Sequence, residues 1–165
     1  MMRVFRPLSS DCTGAAAAEM ALILPLLLVL MVGPLEIGNY FLSEHVVDKA
    51  VRDAARYAAR QPVDAFDCAD GQMNDPSAVQ KIARTGDPAG GDQRLRDWTS
   101  DSMTTVSVTC DDSGTYTGIY ADFPDGVPVV TVSATVPYTA VLGVFGVRGL
   151  SLTLHAEQQA AVMGE

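Results

Sequence analysis

The chain reads as an α+β protein, with one long N-terminal helix, membrane-spanning first and amphipathic later, followed by a small antiparallel β-sheet domain. Three observations predict this. The first is an apolar run from Met20 to Leu42 in which only Glu36 and Asn39 are strongly polar. The second is an apolar stripe of helical period just beyond it. The third is a set of three β-branched runs of period two in the C-terminal half. A length of 165 residues leaves room for one domain plus an anchor, not for two full domains.

The run from Met20 to Leu42 is 23 residues long, about 35 Å as a helix, enough to cross a bilayer. Arg3 and Arg6 precede it, and Glu44 and Asp48 follow it before any base. The positive-inside bias therefore predicts a cytoplasmic N-terminus and export of everything after about Phe41. A cleaved secretory signal would carry small residues after its apolar stretch, where this chain has Glu36. A lipoprotein cysteine would follow the apolar core, whereas Cys12 precedes it. Pro25 and Pro34 fall inside the span, and Gly33 beside Pro34 predicts a bend there. Tyr40 and Phe41 are placed at the outer membrane interface, where aromatic rings are favoured.

Two carboxylates mark this segment. An acid at the centre of a bilayer costs about 2.5–3.5 kcal/mol on insertion scales, so each is a functional candidate. Glu19 stands at the front edge of the apolar run, after Gly14 and four alanines. Glu36 stands near the outer boundary, where it either reaches water or serves helix packing or a partner.

Beyond the span, Val46, Val47, Ala50, Val51, Ala54, Ala55 and Ala58 form the apolar stripe. Asp48 with Arg52, and Lys49 with Asp53, set opposite charges four apart on the other side. The helix is predicted to continue to about Arg60, where Pro62 stops it.

Four stretches carry a resemblance to a known family. They are Gly14-Ala15-Ala16-Ala17-Ala18-Glu19, Ala21-Leu22-Ile23-Leu24-Pro25, Gly33-Pro34-Leu35-Glu36-Ile37-Gly38, and the run from Ala50 to Ala59. In this order they resemble the TadE-like minor pseudopilins of the tight-adherence (Flp) pilus machinery, over roughly the first 60 residues. The resemblance implies a pilin-like fold and a prepilin peptidase that cleaves between Gly14 and Ala15, leaving Glu19 fifth in the mature chain. The leader would span residues 1–14, the membrane helix 15–42, its amphipathic extension 43–61 and the exported α+β domain 62–165. The implied partners are that peptidase, a second pseudopilin, the major pilin and the inner-membrane assembly platform. Contacts with them are expected through the apolar helix and the stripe from Val46 to Ala58. Met20 stands where the major pilin commonly has an aromatic residue after the glutamate, so the resemblance is to the minor subunits.

Two rival readings remain. One is an uncleaved, signal-anchored envelope protein that binds a ligand through its exported domain. The other is a minor pseudopilin of a type II secretion apparatus. Against the latter, the short leader and the blocks Gly33–Gly38 and Ala50–Ala59 favour the tight-adherence group.

The formal charge of −9, from 11 basic and 20 acidic residues, argues against a nucleic-acid or anionic-lipid surface. Removal of the leader takes Arg3, Arg6 and Asp11 with it, leaving nine basic and nineteen acidic residues and a charge of −10. It also takes Cys12, and the remaining Cys68 and Cys110 suit a disulfide in an oxidising compartment. The alternative is two unrelated buried thiols.

In the exported part, residues 62–97 read as irregular and polar, with a short helix from about Ser77 to Arg84 that Gly86 stops. Trp98 is placed over the β-sheet core or at an exposed tip. The strands are predicted at Thr104–Cys110, Val127–Tyr138 and Leu150–Ala156, with a turn at Asp122–Gly126 and an apolar connection at Thr139–Arg148. The core face is expected to carry Val106, Val108, Val130, Val132 and Val136, with Leu150, Leu152 and Leu154 from the third strand.

No enzyme, cofactor or metal is called for. Asp111-Asp112-Ser113-Gly114-Thr115 fits a metal-adhesion loop, but only 50 residues follow it and they read as β rather than as a doubly wound sheet. Asp64, Asp67, Asp70, Asn74 and Asp75 lack EF-hand spacing and read as a solvated acidic loop. His45 and His155, the only histidines, are assigned surface or packing roles. No nucleophile elbow, phosphate-binding glycine loop or zinc spacing occurs.

Overall fold

A computed structural model describes residues 13–111, 126–140 and 152–163. The leader up to Cys12, the loop Asp112–Thr115, positions 122–125 of the expected turn, the connection from residue 141 onward and Leu150 lie outside the described residues.

Helix α1 runs from Thr13 to Ala58 and passes through Pro25 and Pro34 without interruption. It ends two residues before the expected Arg60. Arg60 N donates to the Tyr57 carbonyl (3.2 Å) and Gln61 N to that of Ala58 (3.0 Å), a tightened last turn. Pro62 disfavours helical backbone in the residue before it, so the tightening falls upstream. The chain divides into two compact units, Met1–Gly38 and Asn39–Glu165. The second unit therefore includes the outer part of α1.

The stretch after α1, read as irregular from sequence, contains a 3₁₀ turn at Val63–Ala65 and a two-stranded ladder of β1 (Phe66–Asp67) and β2 (Gln72–Met73). Asp67 closes the tight loop between these strands by accepting from the backbone N–H groups of Ala69 (2.8 Å) and Asp70 (3.1 Å). Helix α2 (Ser77–Thr85) follows, one residue longer than expected. Asp75 accepts the Ser77 backbone N–H at 3.0 Å. Hydrogen bonds from the Ser77 side chain and backbone hold the Asp75 carboxyl below its ordinary range.

Gly86 ends α2 in the left-handed region (φ +91°), its N–H donating to the Ile82 carbonyl. A Cβ there would lie 2.9 Å from Arg94 Nη2. Gly86→Ala is therefore expected to destabilise the domain by about 1–2 kcal/mol, read as a lower denaturation midpoint. An unchanged midpoint would contradict the strain argument.

The main sheet is three antiparallel strands in the order β3 (Thr104–Asp111), β4 (Val127–Tyr138), β5 (Leu152–Ala161). Its register places Val106 opposite Val132, Val108 opposite Val130 and Val136 opposite Leu154. The expected core face is therefore correct for Val108, Val130, Val132, Val136 and Leu154, all buried, while Val106 is half-buried. Leu152, at the start of β5, is exposed, which corrects its expected place on the core face. Strand β5 continues five residues past the expected Ala156, because Glu157 to Ala161 pair with Val129–Ser133 of the long β4. Beyond it, Val162 N donates to the Pro128 carbonyl and Met163 N to that of Ala59, tying the chain to the end of α1 (both 2.9 Å).

One hydrophobic cluster unites these elements. Val47, Ala50, Val51, Ala54, Ala55 and Ala58 of α1 join Val79 and Ile82 of α2 and the sheet's inner residues. The α1 contribution is mostly alanine, and each buried valine or leucine stabilises by about 1.5–3 kcal/mol. Trp98 is fully buried in this cluster, which decides between the two positions left open for it. Its indole Nε1 and the Thr104 hydroxyl are buried without a hydrogen-bond partner among the described residues.

Candidate functional site

The site expected from sequence begins on the first turns of α1. Gly14, Ala15 and Glu19 are all exposed there. Ala15 and Glu19 are four apart and so lie on one helical face. A Cβ on Gly14 would meet nothing within 4 Å, and the same holds for Gly33 and Gly38. A glycine inside a helix costs about 1 kcal/mol relative to alanine. Among the described residues, none approaches these three positions closely enough to require glycine.

Every residue from Gly14 to Met31 is exposed, with Leu22 at 78% and Leu30 at 62%. This helix is long and apolar enough to cross a membrane, and its apolar window is exposed among the described residues. An exposed apolar surface of this kind marks a candidate for contact with lipid or with partner helices. Glu36 differs from Glu19 in being half-buried, so it is not simply a carboxylate immersed in water.

The outer part of α1 is built differently. The stripe predicted from sequence is buried within this chain's own domain, with Val47, Ala50, Val51, Ala54 and Ala58 fully inaccessible. It cannot also contact partners, which corrects the expectation that they dock along Val46–Ala58. Tyr40, placed at the membrane interface from sequence, packs edge-on against Tyr138 at a centroid distance of 5.2 Å. Asn39 Nδ2 donates to the Tyr138 hydroxyl at 2.8 Å, so a polar residue of the predicted span is held by the domain. Phe41 is 53% exposed.

The charges on this part of the helix are also reassigned. Asp48 and Arg52 form the predicted pair (2.6 Å). Asp53 instead accepts from Nη1 and Nη2 of Arg94, both at 3.2 Å. A guanidinium presents two donors from a partly buried position, whereas Lys49 offers a flexible, exposed ammonium.

Cys68 and Cys110 form a disulfide, with Cα atoms 5.5 Å apart. It joins the β1–β2 hairpin to β3. Beside it, Val108 N donates to the Gly71 carbonyl at 2.9 Å, and Gly71 has φ +66°. A Cβ on Gly71 would lie 3.1 Å from the Val108 carbonyl oxygen, so the hairpin seats on β3 through a glycine.

One grouping was missed from sequence. His45 and His155 line the same open depression of about 450 Å³, with Phe41, Glu44, Asp48 and Ala156. Thr135 Oγ1 shares a hydrogen bond with His155 Nδ1 at 3.1 Å. Positions so far apart in sequence meet only because β5 lies beside α1, and no local pattern signals that. Among the described residues, no three histidine, cysteine, aspartate or glutamate side chains are arranged to hold a metal ion.

These features define a class: a small antiparallel α+β domain carried on one apolar helix that is a candidate membrane span. A family model described as TadE-like protein matches residues 14–56, wholly within α1. Over that segment the chain is similar to TadE-like proteins, a similarity consistent with a protein of the tight-adherence pilus system. Comparison with curated proteins and comparison with solved structures each return no match.

Proposed function

We propose that the chain is a minor pseudopilin that takes part in assembly of a tight-adherence pilus and is a substrate of a prepilin peptidase rather than an enzyme. Cleavage between Gly14 and Ala15 removes residues 1–14. Residues 15–42 then span the inner membrane once, with the N-terminal side cytoplasmic. Residues 43–61 extend the helix outward, and residues 62–165 form the periplasmic domain. Its partners are a second pseudopilin, the major pilin and the inner-membrane assembly platform.

The observation that carries this reading is the start of α1. A glycine that no described neighbour requires precedes, by five positions, an exposed glutamate at the head of an exposed apolar helix. The TadE-like match covers the same residues. A peptidase that needs backbone access at residue 14 gives the glycine a purpose. A positive α-amino group, created by cleavage, gives the glutamate one.

The test is the N-terminus of the protein purified from membranes of its native host. Mass analysis is expected to find Ala15 first. A chain beginning at Met1 would overturn the reading in favour of an uncleaved, signal-anchored envelope protein that binds through its exported domain.

A further inference from the structure

The face of α1 opposite the buried stripe is rich in bases, and the two acids at its flanks, Asp48 and Asp53, are paired with Arg52 and Arg94. Lys49, Arg52 and Arg56 are three and four residues apart and exposed, and exposed Arg60 stands in the turn just beyond. At 100° per residue, the first three fall within a narrow arc nearly opposite Ala54 and Ala58. Only Arg52 has an ion-pair partner among the described residues. Four of the chain's eleven basic residues thus share one surface in a protein of net charge −9, a concentration that the overall charge conceals.

The complementary surface lies on the same chain. Between Arg60 and Lys81 there is no basic residue, while Asp64, Asp67, Asp70 and Asp75 fall in that interval. Asp64, Asp70 and Asp75 are exposed. The segment is held rigid by the β1–β2 ladder and by the bridge from Cys68 to Cys110. Among the described residues, the Asp64 and Asp70 side chains have no hydrogen-bond or ion-pair partner, so their carboxylates are available.

We propose that the basic face of α1 in one copy docks the acidic segment from Asp64 to Asp75, which contains the β1–β2 hairpin, of a second copy of this chain. The purpose of the contact rests on the assembly reading above. Its physical basis does not. The two surfaces are different patches of one chain, so the contact is heterologous, and repetition propagates a file of subunits unless the rotation closes a ring. Two chains of strong net negative charge repel at long range, but screening within about 8–10 Å leaves local complementarity to decide the contact. Opposed charges at such a contact set register and suppress wrong partners more than they add affinity. The stripe itself is buried, so between Lys49 and Arg60 the exposed side of the helix meets a neighbour mainly through these charges.

The test uses the full-length protein, in two differently tagged forms co-expressed and extracted together in mild detergent. Lys49→Glu with Arg56→Glu in both copies is expected to lower mutual capture about tenfold or more, as is Asp64→Lys with Asp70→Lys. Mixing the two kinds of variant is expected to restore capture, because each then offers the other's complement. Raising salt from about 0.05 to 0.5 M is expected to weaken capture of the wild type and not of a cross-linked control. The milder Lys49→Gln with Arg56→Gln is expected to lose capture in part, and an intact Cys68–Cys110 bridge on a non-reducing gel reports folding.

Capture unchanged by either reversal overturns the proposal, as does loss that the mixture fails to restore. So does a helix-face reversal that alters sedimentation with anionic vesicles while leaving capture intact, since the face would then serve a lipid surface. An N-terminus at Ala15 with charge-insensitive capture removes this inference alone. An N-terminus at Met1 with charge-dependent capture removes the pilus reading and leaves this contact standing.

Discussion

Glu19→Ala is expected to leave the chain inserted in the membrane and to abolish its incorporation into pilus assembly. Insertion is driven by the apolar surface from Met20 onward, which this substitution does not reduce and slightly extends. Assembly is different. Cleavage after Gly14 would place a positive α-amino group on Ala15, one turn from Glu19 in the same chain and free to meet the carboxylate of a neighbour. In a low-dielectric bundle that attraction strengthens, and deleting one member strands the other charge at a cost of about 3–5 kcal/mol. That corresponds to roughly a hundred- to a few thousand-fold weaker association. Glu19→Gln, which keeps the size and loses the charge, is expected to fail as well. Membrane fractionation reads insertion, and surface pili read assembly. Normal piliation by both variants would remove the proposed role of this acid.

The second large effect concerns the disulfide. Replacing both Cys68 and Cys110 by serine is expected to destabilise the domain by about 4 kcal/mol, given the 42-residue separation that the bridge closes. Against a typical domain stability of about 5–15 kcal/mol, this is a large fraction. The hairpin should loosen first, because its own ladder is only two residues per strand. Urea denaturation of the detergent-solubilised full chain measures the change. A loss below about 1 kcal/mol would mean that the hairpin is held by the Gly71–Val108 hydrogen bond and local packing instead.

Much of the scaffold was legible because its signals are local. Strand β4 has the bounds that its alternation of Val and Thr indicates, and α2 begins at Ser77 as Pro76 predicts. The apolar stripe of α1 and the Asp48–Arg52 pair follow from helical spacing alone. The candidate residues Gly14, Ala15 and Glu19 were legible for a similar reason: a small-residue run and an acid ahead of an apolar helix form a contiguous pattern.

The unread parts depend on partners distant in sequence. The β1–β2 strands are too short to show a period, and they exist because Cys110 and Val108 hold the hairpin from across the domain. Asp53 left its helical neighbour Lys49 for Arg94, 41 positions away, because folding brings a forked donor within reach. Tyr40 reads as a membrane-interface ring until Tyr138 arrives to pack on it.

The outer half of α1 draws the division most sharply. Residue order alone sets its two faces, one of alanine and valine and one of lysine and arginine, because a helix sorts positions by angle whatever surrounds it. Which face remains for other molecules was decided by tertiary packing. The sheet needed a small-residue surface to close against, and covering the alanines removed them from view. The charges were left outward, since desolvating them without partners would cost more than it gained.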